Sequence, residues 1–406
     1  MIQKAIGDIT KTDIDFLIEN KIGESKTLEY KERLPGSKDS ERKEFLADIS
    51  SFANASGGDV IYGIKAAVND IGKKTGEPEE VVPLDGITAD EAKLQIENLI
   101  RTGIEPRIPV HVKEIAGYCD DGNGFVIIVR VPQSFASPHM VTFKNSSRFY
   151  CRSSAGKYQL DVQEIRSAFL ATDSQAERVR SFLQNRLAKI MADETPVPLS
   201  SEHRLALHIL PLYPFLNHQR LQLSSNRELP SDFRPIGVSG WDHCYNLDGF
   251  LTYHRDYDNR TLNDGYCQVF FDGVVESVYS NILTVRGGGR PQSGETGFIA
   301  SVAYERNVVD AIENYFAGYT RLGIEAPAVI SIALLGCKGA YMFTDFTGSC
   351  YKPIDRDVAI LPEVQTGSLD EAVPTIMKPI FDAVWNACGF PCSFNYTENG
   401  TWNVRR

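Results

Sequence analysis

The apolar positions of the first part of the chain predict short helices that alternate with strands. Residues 9–20 have the spacing of a short helix, TLEYK at 27–31 alternates like a strand, and residues 41–54 place their apolar side chains on one helical face. The apolar run DVIYGI at 59–64 predicts a strand that is buried on both faces. The polar stretch at 67–86 contains several Gly and Pro residues and predicts a loop.

The same alternation continues to the end of the chain. The segments are a helix at 89–102, a strand pair around the turn DDGNG, a strand in SSRFYCRS, and a long helix from Asp161 to about residue 192. After the linker-like segment DETPVPLS, the predicted elements include a hairpin that turns at Asp272-Gly273, helices at 301–322 and 370–388, and a strand pair formed by PAVISIALLG and GAYMFTDF.

These elements predict an α+β, or mixed α/β, fold. A chain of 406 residues is long enough for two or three domains. We expect a first domain at 1–170, a helical connector and linker at 171–199, and a second mixed α/β domain at 200–406, in which the sequence shows no chemical motif.

Composition and charge narrow the class of protein. Hydrophobic residues make up 42% of the chain, yet no apolar run reaches the ~18 residues of a membrane helix, and the N-terminus lacks the apolar core of a signal peptide. We therefore expect a cytoplasmic protein without membrane contact. The net charge of −11 argues against a general nucleic-acid coat, but residues 130–190 have a net charge of +6, which predicts a local basic face.

The segment GESKTLEYKERL, residues 23–34, contains acids and bases on a predicted strand. Glu24 and Glu29 are compatible with one metal-binding edge, because hard cations such as Mg²⁺ or Mn²⁺ prefer oxygen ligands and activate water beside a phosphate. Lys31 lies two residues after Glu29 and therefore projects from the same strand face. The spacing alone leaves a solvated surface strand as the alternative.

Basic and aromatic side chains on the later strands are candidates for contact with nucleic acid. Phosphates bind such cations without regard to base sequence, and a tyrosine between two arginines on one strand face can stack on a base. A solvated strand edge is again the alternative. The candidates are Lys113, Lys144, Arg148, Tyr150, Arg152 and Lys157.

Several short motifs occur in a fixed order. They are Glu24-Ser25, Glu29-Tyr30-Lys31, Ser51-Phe52-Ala53-Asn54, Gly57-Gly58, Phe149-Tyr150-Cys151-Arg152 and Glu164-Ile165-Arg166. Over about residues 15–170 this order resembles the Schlafen/AlbA-type domain of bacterial proteins. The resemblance implies a small α/β fold with affinity for nucleic acid. Animal Schlafens pair two such lobes and cut transfer RNA, which implies metal-binding acids at Glu24 and Glu29 and a homodimer here.

The sequence departs from this family at the third metal-binding acid. Lys65 stands where the family nucleases have an aspartate, and a cation at that place repels a metal ion. Asp59 lies six residues away, roughly 20 Å along an extended strand. Asp70 lies in the predicted loop and reaches the site only if that loop folds back.

Three functions stay open. The first is a Mg²⁺- or Mn²⁺-dependent endoribonuclease that acts on structured RNA such as transfer RNA in phage defence. In that function Glu24 and Glu29 hold the metal, and Lys31 steadies the phosphate. The second is a non-catalytic DNA- or RNA-binding module, which Lys65 favours. The third is a scaffold that keeps only the fold.

Overall fold

The computed structural model describes residues 1–2, 4, 6–69, 74–118, 124–154, 156–257, 259–285, 289–291, 297–344 and 352–404. These residues form two compact units, Met1–Glu177 and Arg178–Arg406, and the boundary falls inside a 30-residue helix. Both units mix helices with strands, which confirms the predicted fold class. In the described part of the chain, no helix is apolar enough over a sufficient length to span a membrane.

The N-terminal unit is built from the following described elements. Its helices are α1 (Lys11–Glu19), α2 (Asp39–Ala53), α3 (Ala89–Gly103) and α4 (Val162–Met191), with short 3₁₀ turns at Ile6–Asp8 and Phe143–Asn145. Its strands are β1 (Leu28–Lys31), β2 (Gly58–Tyr62), β3 (Ile64–Val68), β4 (Lys74–Val81), β5 (Ile104–Glu105), β6 (His111–Ala116), β7 (Phe125–Val131), β8 (Met140–Val141), β9 (Arg148–Ser153) and β10 (Gly156–Gln159).

The central sheet of this unit has the strand order β1-β2-β7-β6. Strand β1 is parallel to β2, and β7 is antiparallel to both β2 and β6. Val60 of β2 belongs to the core under α2 and α3, whereas the next residue, Ile61, belongs to the core under α1. Since side chains of a strand alternate between faces, β2 is buried on both sides, as its apolar run predicts.

A second sheet, with the order β10-β9-β8-β5, carries the basic strand SSRFYCRS. Strand β10 pairs only with β9 among the described strands and forms one edge of this sheet. Its register places Lys157 opposite Arg152 and Tyr158 opposite Cys151. Lys157 therefore lies on one face of the β9–β10 hairpin and Tyr158 on the other.

The predicted loop at 67–86 is wrong in part, because β4 occupies residues 74–81 and pairs with β3. The register shifts on both sides of Ala66, and β4 contains Gly76 with φ of +80° and a proline at 78. An irregular, polar strand of this kind lacks the apolar alternation by which strands are recognised. Asp70, the possible substitute acid, lies outside the described residues.

The C-terminal unit contains a larger sheet with the order β12-β13-β14-β15-β11-β17-β19, and β20 also pairs with β17. Its strands are β11 (Arg204–Pro211), β12 (Asp242–Tyr245), β13 (Gly249–Arg255), β14 (Asn263–Phe270), β15 (Val275–Tyr279), β16 (Phe298–Ala300), β17 (Ala328–Leu335), β18 (Tyr341–Phe343), β19 (Val358–Ile360) and β20 (Val364–Thr366). Its helices are α5 (Leu212–Leu216), α6 (Leu229–Asp232), α7 (Ser301–Arg321) and α8 (Val373–Ala387), with a 3₁₀ turn at Leu223–Ser225.

Of two strand pairings that the sequence predicts in this unit, one is confirmed and the other is wrong. The hairpin β14–β15 turns at Asp272-Gly273, where Gly273 has φ of +83°, and it confirms the Asp-Gly signal. The predicted pair of β17 with β18 is wrong, because β17 pairs with β11, β19 and β20, whereas β18 runs parallel to β16. Sequence proximity favoured a hairpin where the chain instead makes long-range pairs.

A buried carboxylate lies in the middle of the C-terminal sheet. Glu276 of β15 is fully buried and accepts two hydrogen bonds from Arg186 of α4, both at 2.7 Å. It also lies 3.0 Å from Nε2 of His208 and accepts a hydrogen bond of 2.8 Å from the hydroxyl of Tyr266. Burial on its own would raise the pKa of Glu276, but the hydrogen bonds from Arg186 and His208 outweigh it and lower the pKa to about 2.

Candidate nucleic-acid interface

Strand β1 presents Glu29 and Lys31 to the same side of the N-terminal unit. Leu28 and Tyr30 point into the core beneath α1, so the two charged side chains lie on the opposite face, half-buried. The Lys31 ammonium lies 2.9 Å from Oε1 of Glu29. The predicted acid and base therefore meet, but they form an ion pair with each other.

The second oxygen of Glu29 is paired with Arg152 of β9. The Nη2 atom of Arg152 donates to Oε2 of Glu29, and the guanidinium stacks on the ring of Phe52 at 4.1 Å. Only 4% of the Arg152 side chain is exposed, and its Nε and Nη1 atoms have no hydrogen-bond partner among the described residues. This burial lowers the pKa of Arg152, an effect that the negative charge of Glu24 partly offsets.

Asp48 of α2 completes the arrangement, and we had not predicted it. Its side chain is 2% exposed, with Oδ1 2.7 Å from Nζ of Lys157 and Oδ2 3.1 Å from Nζ of Lys31, the latter an ion-pair distance without hydrogen-bond geometry. The sequence contained a signal, because Asp48 falls on the apolar face of α2 between Phe45 and Phe52. An acid on an apolar face requires a partner when it is buried.

These five residues are called the ion-pair cluster below. They are Glu29, Lys31, Asp48, Arg152 and Lys157. The cluster joins β1, α2 and the β9–β10 hairpin, three segments that are far apart in sequence.

Glu24 lies outside this cluster, in the turn before β1, where it is exposed. Its Oε1 atom accepts the backbone N–H of Tyr30 at 3.2 Å, and its own N–H donates to the carbonyl of Gly76 at 2.7 Å. Both glutamates therefore interact with Arg152. Glu29 contacts its guanidinium, and Glu24 acts on it through the field of its negative charge.

The positions weighed for a third acid do not supply one. Lys65 is bound to two glutamates of β4, with Nζ 2.8 Å from Glu80 and 3.1 Å from Glu79. These hydrogen bonds raise the pKa of Lys65. Asp59 is buried in an ion pair with Arg130 at 2.8 Å. Because Asp59 is the register partner of Leu28, it projects to the face opposite Glu29.

The contacts of Glu29 do not fit a bound divalent cation. A hard cation needs several oxygen ligands that do not already neutralise other cations, yet both oxygens of Glu29 contact basic side chains. Within the described ranges, no three Asp, Glu, His or Cys side chains converge in a way that could hold a metal ion. Binding of Mg²⁺ or Mn²⁺ by Glu24 and Glu29 stays a prediction that these contacts disfavour.

Titration with Mn²⁺, followed by electron paramagnetic resonance of the free ion, is expected to show a Kd of roughly 1 mM or weaker for the protein. The Arg152→Met variant removes one of the two cations that compete for Glu29 and should bind Mn²⁺ more tightly, provided that circular dichroism shows it folded. Micromolar binding by the wild type that is lost in Glu29→Gln would contradict this expectation.

The remaining candidate residues form two groups, and the first consists of Lys144, Arg148 and Lys157. Lys144 is 61% exposed and lies 3.0 Å from Asp39, Arg148 is exposed and donates to Gln159 at 3.2 Å, and Lys157 is bound to Asp48. Lys144, Arg148 and Lys157 are called the cationic ridge below. Asp39 and Asp48 are nine residues apart on α2, so two ends of the ridge contact this helix about 14 Å apart.

Three predicted contact residues do not belong to the exposed ridge. Lys113 lies on β6 and donates to the carbonyl of Gly7. Tyr150 is half-buried against the core beneath α2, and Arg152 is buried under Phe52. The alternation of β9 predicts equal exposure for Arg148, Tyr150 and Arg152, because they lie on one strand face. Packing against α2 instead makes each of them more buried than the one before it.

Comparisons with known proteins found a family model and solved structures that are similar to parts of this chain. A family model described as Schlafen, AlbA_2 matches residues 24–161. Among solved structures, the N-terminal domain of a RecG-related protein from Nitrosomonas europaea is similar, with 21% identity, 36% of this chain and 80% of that chain covered, and a TM-score of 0.23. The DIP2311 protein from Corynebacterium diphtheriae is similar at 12% identity over 76% of this chain and 85% of that chain, with a TM-score of 0.25.

No curated protein matches the chain. The family match confirms the resemblance that the ordered motifs predicted, and it spans both the ion-pair cluster and the cationic ridge. Residues 24–161 of this protein match the family model of the Schlafen AlbA_2 domain.

Proposed function

We propose that the N-terminal unit binds nucleic acid through the cationic ridge and does so without a metal ion. The observation that supports this most directly is the division of charge in the unit. Arg152 and Lys31 neutralise Glu29, while Lys144 and Arg148 keep their charged groups toward solvent. The family of residues 24–161 suggests nucleic acid as the ligand.

The exposed end of the ridge, at Lys144, can exchange its present partner for a phosphate at little cost. The ion pair of Lys144 with Asp39 is exposed on both sides, and exposed pairs contribute only about 0–1 kcal/mol. A phosphate offers the same charge together with release of condensed counterions. The net charge of −11 opposes binding only weakly, because the fields of exposed charges farther than ~8 Å from the ligand are screened at physiological salt.

Replacing the three ridge residues tests this proposal. Lys144→Gln/Arg148→Gln/Lys157→Gln is expected to weaken binding of a fluorescein-labelled single strand roughly 50-fold at 0.15 M salt, because three phosphate contacts are lost. For the wild type, log K against log salt should have a slope of about −2, and the slope should approach zero in the triple variant.

Lys113→Gln is the matched control, since it removes one positive charge of the same unit away from the ridge. Its affinity should stay within about twofold of the wild type. If Lys113→Gln loses about one third of the binding free energy that the triple variant loses, then net charge, and not the ridge, governs binding, because it removes one charge where the triple variant removes three.

A Mg²⁺- or Mn²⁺-dependent endoribonuclease acting on transfer RNA is the second candidate. It is supported by the interaction of both Glu24 and Glu29 with Arg152. It requires Arg152 to leave Glu29 before a metal ion can bind. A role in phage defence and a homodimer stay predictions, on which no contact in the described ranges bears.

A further inference from the structure

The β9–β10 hairpin has a cavity on the face opposite the cationic ridge. The cavity has a volume of about 430 Å³ and opens to solvent. Cys151 and Tyr158 form its hairpin wall, and the first turns of α4 with Glu164 form the facing wall. A space of this size falls within the range of ligand-binding clefts, roughly 300–1,000 Å³. It is called the hairpin cavity below.

Contacts between separate segments fix the walls of the hairpin cavity. The Sγ atom of Cys151 lies 3.6 Å from the carbonyl of Asn54, which is also a lining residue. The hydroxyl of Thr172 on α4 donates to the carbonyl of Ser137 on the third wall. The ring of Phe149 packs edge-on against Phe169 at 6.2 Å and holds α4 against the hairpin. The cavity is therefore formed before any ligand arrives.

The lining chemistry excludes an anion as the ligand. Of the described residues that line the cavity, none is lysine or arginine, and Asp161 and Glu164 are acids. Glu164 already accepts the N–H of Asp161 at 2.9 Å and a hydrogen bond from the hydroxyl of Tyr158, so it has room for about two further hydrogen bonds. The cavity thus favours a group that carries N–H donors, either the neutral edge of a base or a cation.

An exposed aromatic ring adds a flat surface to these acceptors. Tyr158 is 39% exposed, and it lines the cavity. A ring at the mouth of an acceptor-lined cavity suits a planar ligand, because base–aromatic stacking does not depend on which base is present. Amino and imino groups at the edge of a base are the donors that a glutamate or glutamine side chain accepts.

The register of the hairpin connects this cavity with the ridge. Lys157 precedes Tyr158 and points to the other face of the edge strand β10, and Gln159, the partner of Arg148, follows it. A nucleotide that crosses the free edge of β10 would have its phosphate beside Lys157 and its base beside Tyr158. A duplex cannot do this, because its bases are paired and stacked inside.

We propose that the hairpin cavity binds one unstacked base of a single-stranded nucleic acid whose phosphates lie on the cationic ridge. This inference rests on the proposed function and adds to it the substrate class, a single strand, and the subsite that distinguishes it from a duplex.

Strands with and without bases test the inference. A single strand should bind the wild type about tenfold more tightly than an abasic strand with the same number of phosphates. Tyr158→Ala should abolish this preference without changing the salt slope, because the slope counts phosphate contacts only. Tyr158→Phe should keep the preference, since it keeps the ring. Phe16→Ala, which removes a ring that is 58% exposed on α1, is the matched control and should behave as the wild type.

The outcomes separate this inference from the proposed function. If both strands bind equally in the wild type, or if Tyr158→Ala keeps the preference, the base subsite is wrong while ridge binding stands. If no strand binds, the proposed function is wrong, and nucleosides without phosphate then test the cavity alone. Nucleosides that shift the NMR signals of wild type but not of Tyr158→Ala support the subsite. Binding of arginine amide instead of nucleosides would assign the cavity to a cationic peptide and overturn the inference.

Discussion

Replacing Glu29 by glutamine is expected to destabilise the N-terminal unit by about 3 kcal/mol. The change removes the negative charge that contacts Arg152, whose side chain is only 4% exposed, and leaves this buried cation only the field of Glu24. Urea unfolding followed by backbone circular dichroism measures the loss. The three tryptophans, Trp241, Trp385 and Trp402, all lie in the C-terminal unit, so their fluorescence does not report directly on the N-terminal unit.

Glu24→Gln is the matched control for this experiment. Glu24 is exposed, and glutamine keeps the acceptor for the Tyr30 N–H, so the replacement removes only the field on Arg152 and should cost less than about 1 kcal/mol. A metal site makes the opposite prediction, because two acids held together without their ion repel each other and neutralising either one relieves that repulsion. Unchanged or increased stability in Glu29→Gln would therefore contradict the structural role of the ion-pair cluster.

Replacing Glu276 by glutamine is expected to destabilise the C-terminal unit by about 3–5 kcal/mol. The variant leaves Arg186, which is 12% exposed, without the carboxylate that binds it through two hydrogen bonds. Urea unfolding followed by tryptophan fluorescence reports on this unit. Glu363→Gln, which neutralises an exposed acid of the same unit, should leave the free energy of unfolding within about 0.5 kcal/mol of the wild type.

The same residue gives the C-terminal unit a defined dependence on pH. The pKa of Glu276 is lowered to about 2 in the folded unit, against an ordinary value of 4.5. Its stabilising contribution is therefore present above about pH 4.5 and is lost as the pH falls toward 2. Between pH 6 and pH 3 the wild type should lose about 2 kcal/mol that Glu276→Gln does not lose. An equal loss in both proteins would assign the acid sensitivity to other groups.

Individual strands and turns could be predicted from the sequence where a few consecutive residues determine them. The apolar run of β2 and the Asp-Gly turn of β14–β15 each depend on a few consecutive residues. Strand β4 escaped prediction because it is polar and irregular, and the partner of β17 was misassigned because its neighbours come from distant parts of the sequence.

The sequence identified the charged residues of the site but not the ion pairs that they form. Glu29, Lys31 and the basic residues of β9 were identified, but which of them pair with one another depends on how β9 packs against α2. That packing brings Arg152 to Glu29, 123 residues away in sequence. Asp48 and Glu276 could have been found as acids within apolar patterns, and both proved to be the counter-ions of buried or half-buried cations.

The most direct test of metal-independent binding is the fluorescence anisotropy of a labelled single-stranded RNA titrated with the full-length protein in EDTA, with the strand recovered on a gel after addition of Mn²⁺. If the cationic ridge binds nucleic acid without a metal ion, the strand should bind in EDTA and stay intact, and log K against log salt should have a slope of about −2. Binding that appears only with Mn²⁺, together with cleavage by the wild type and none by Glu29→Gln, would contradict it.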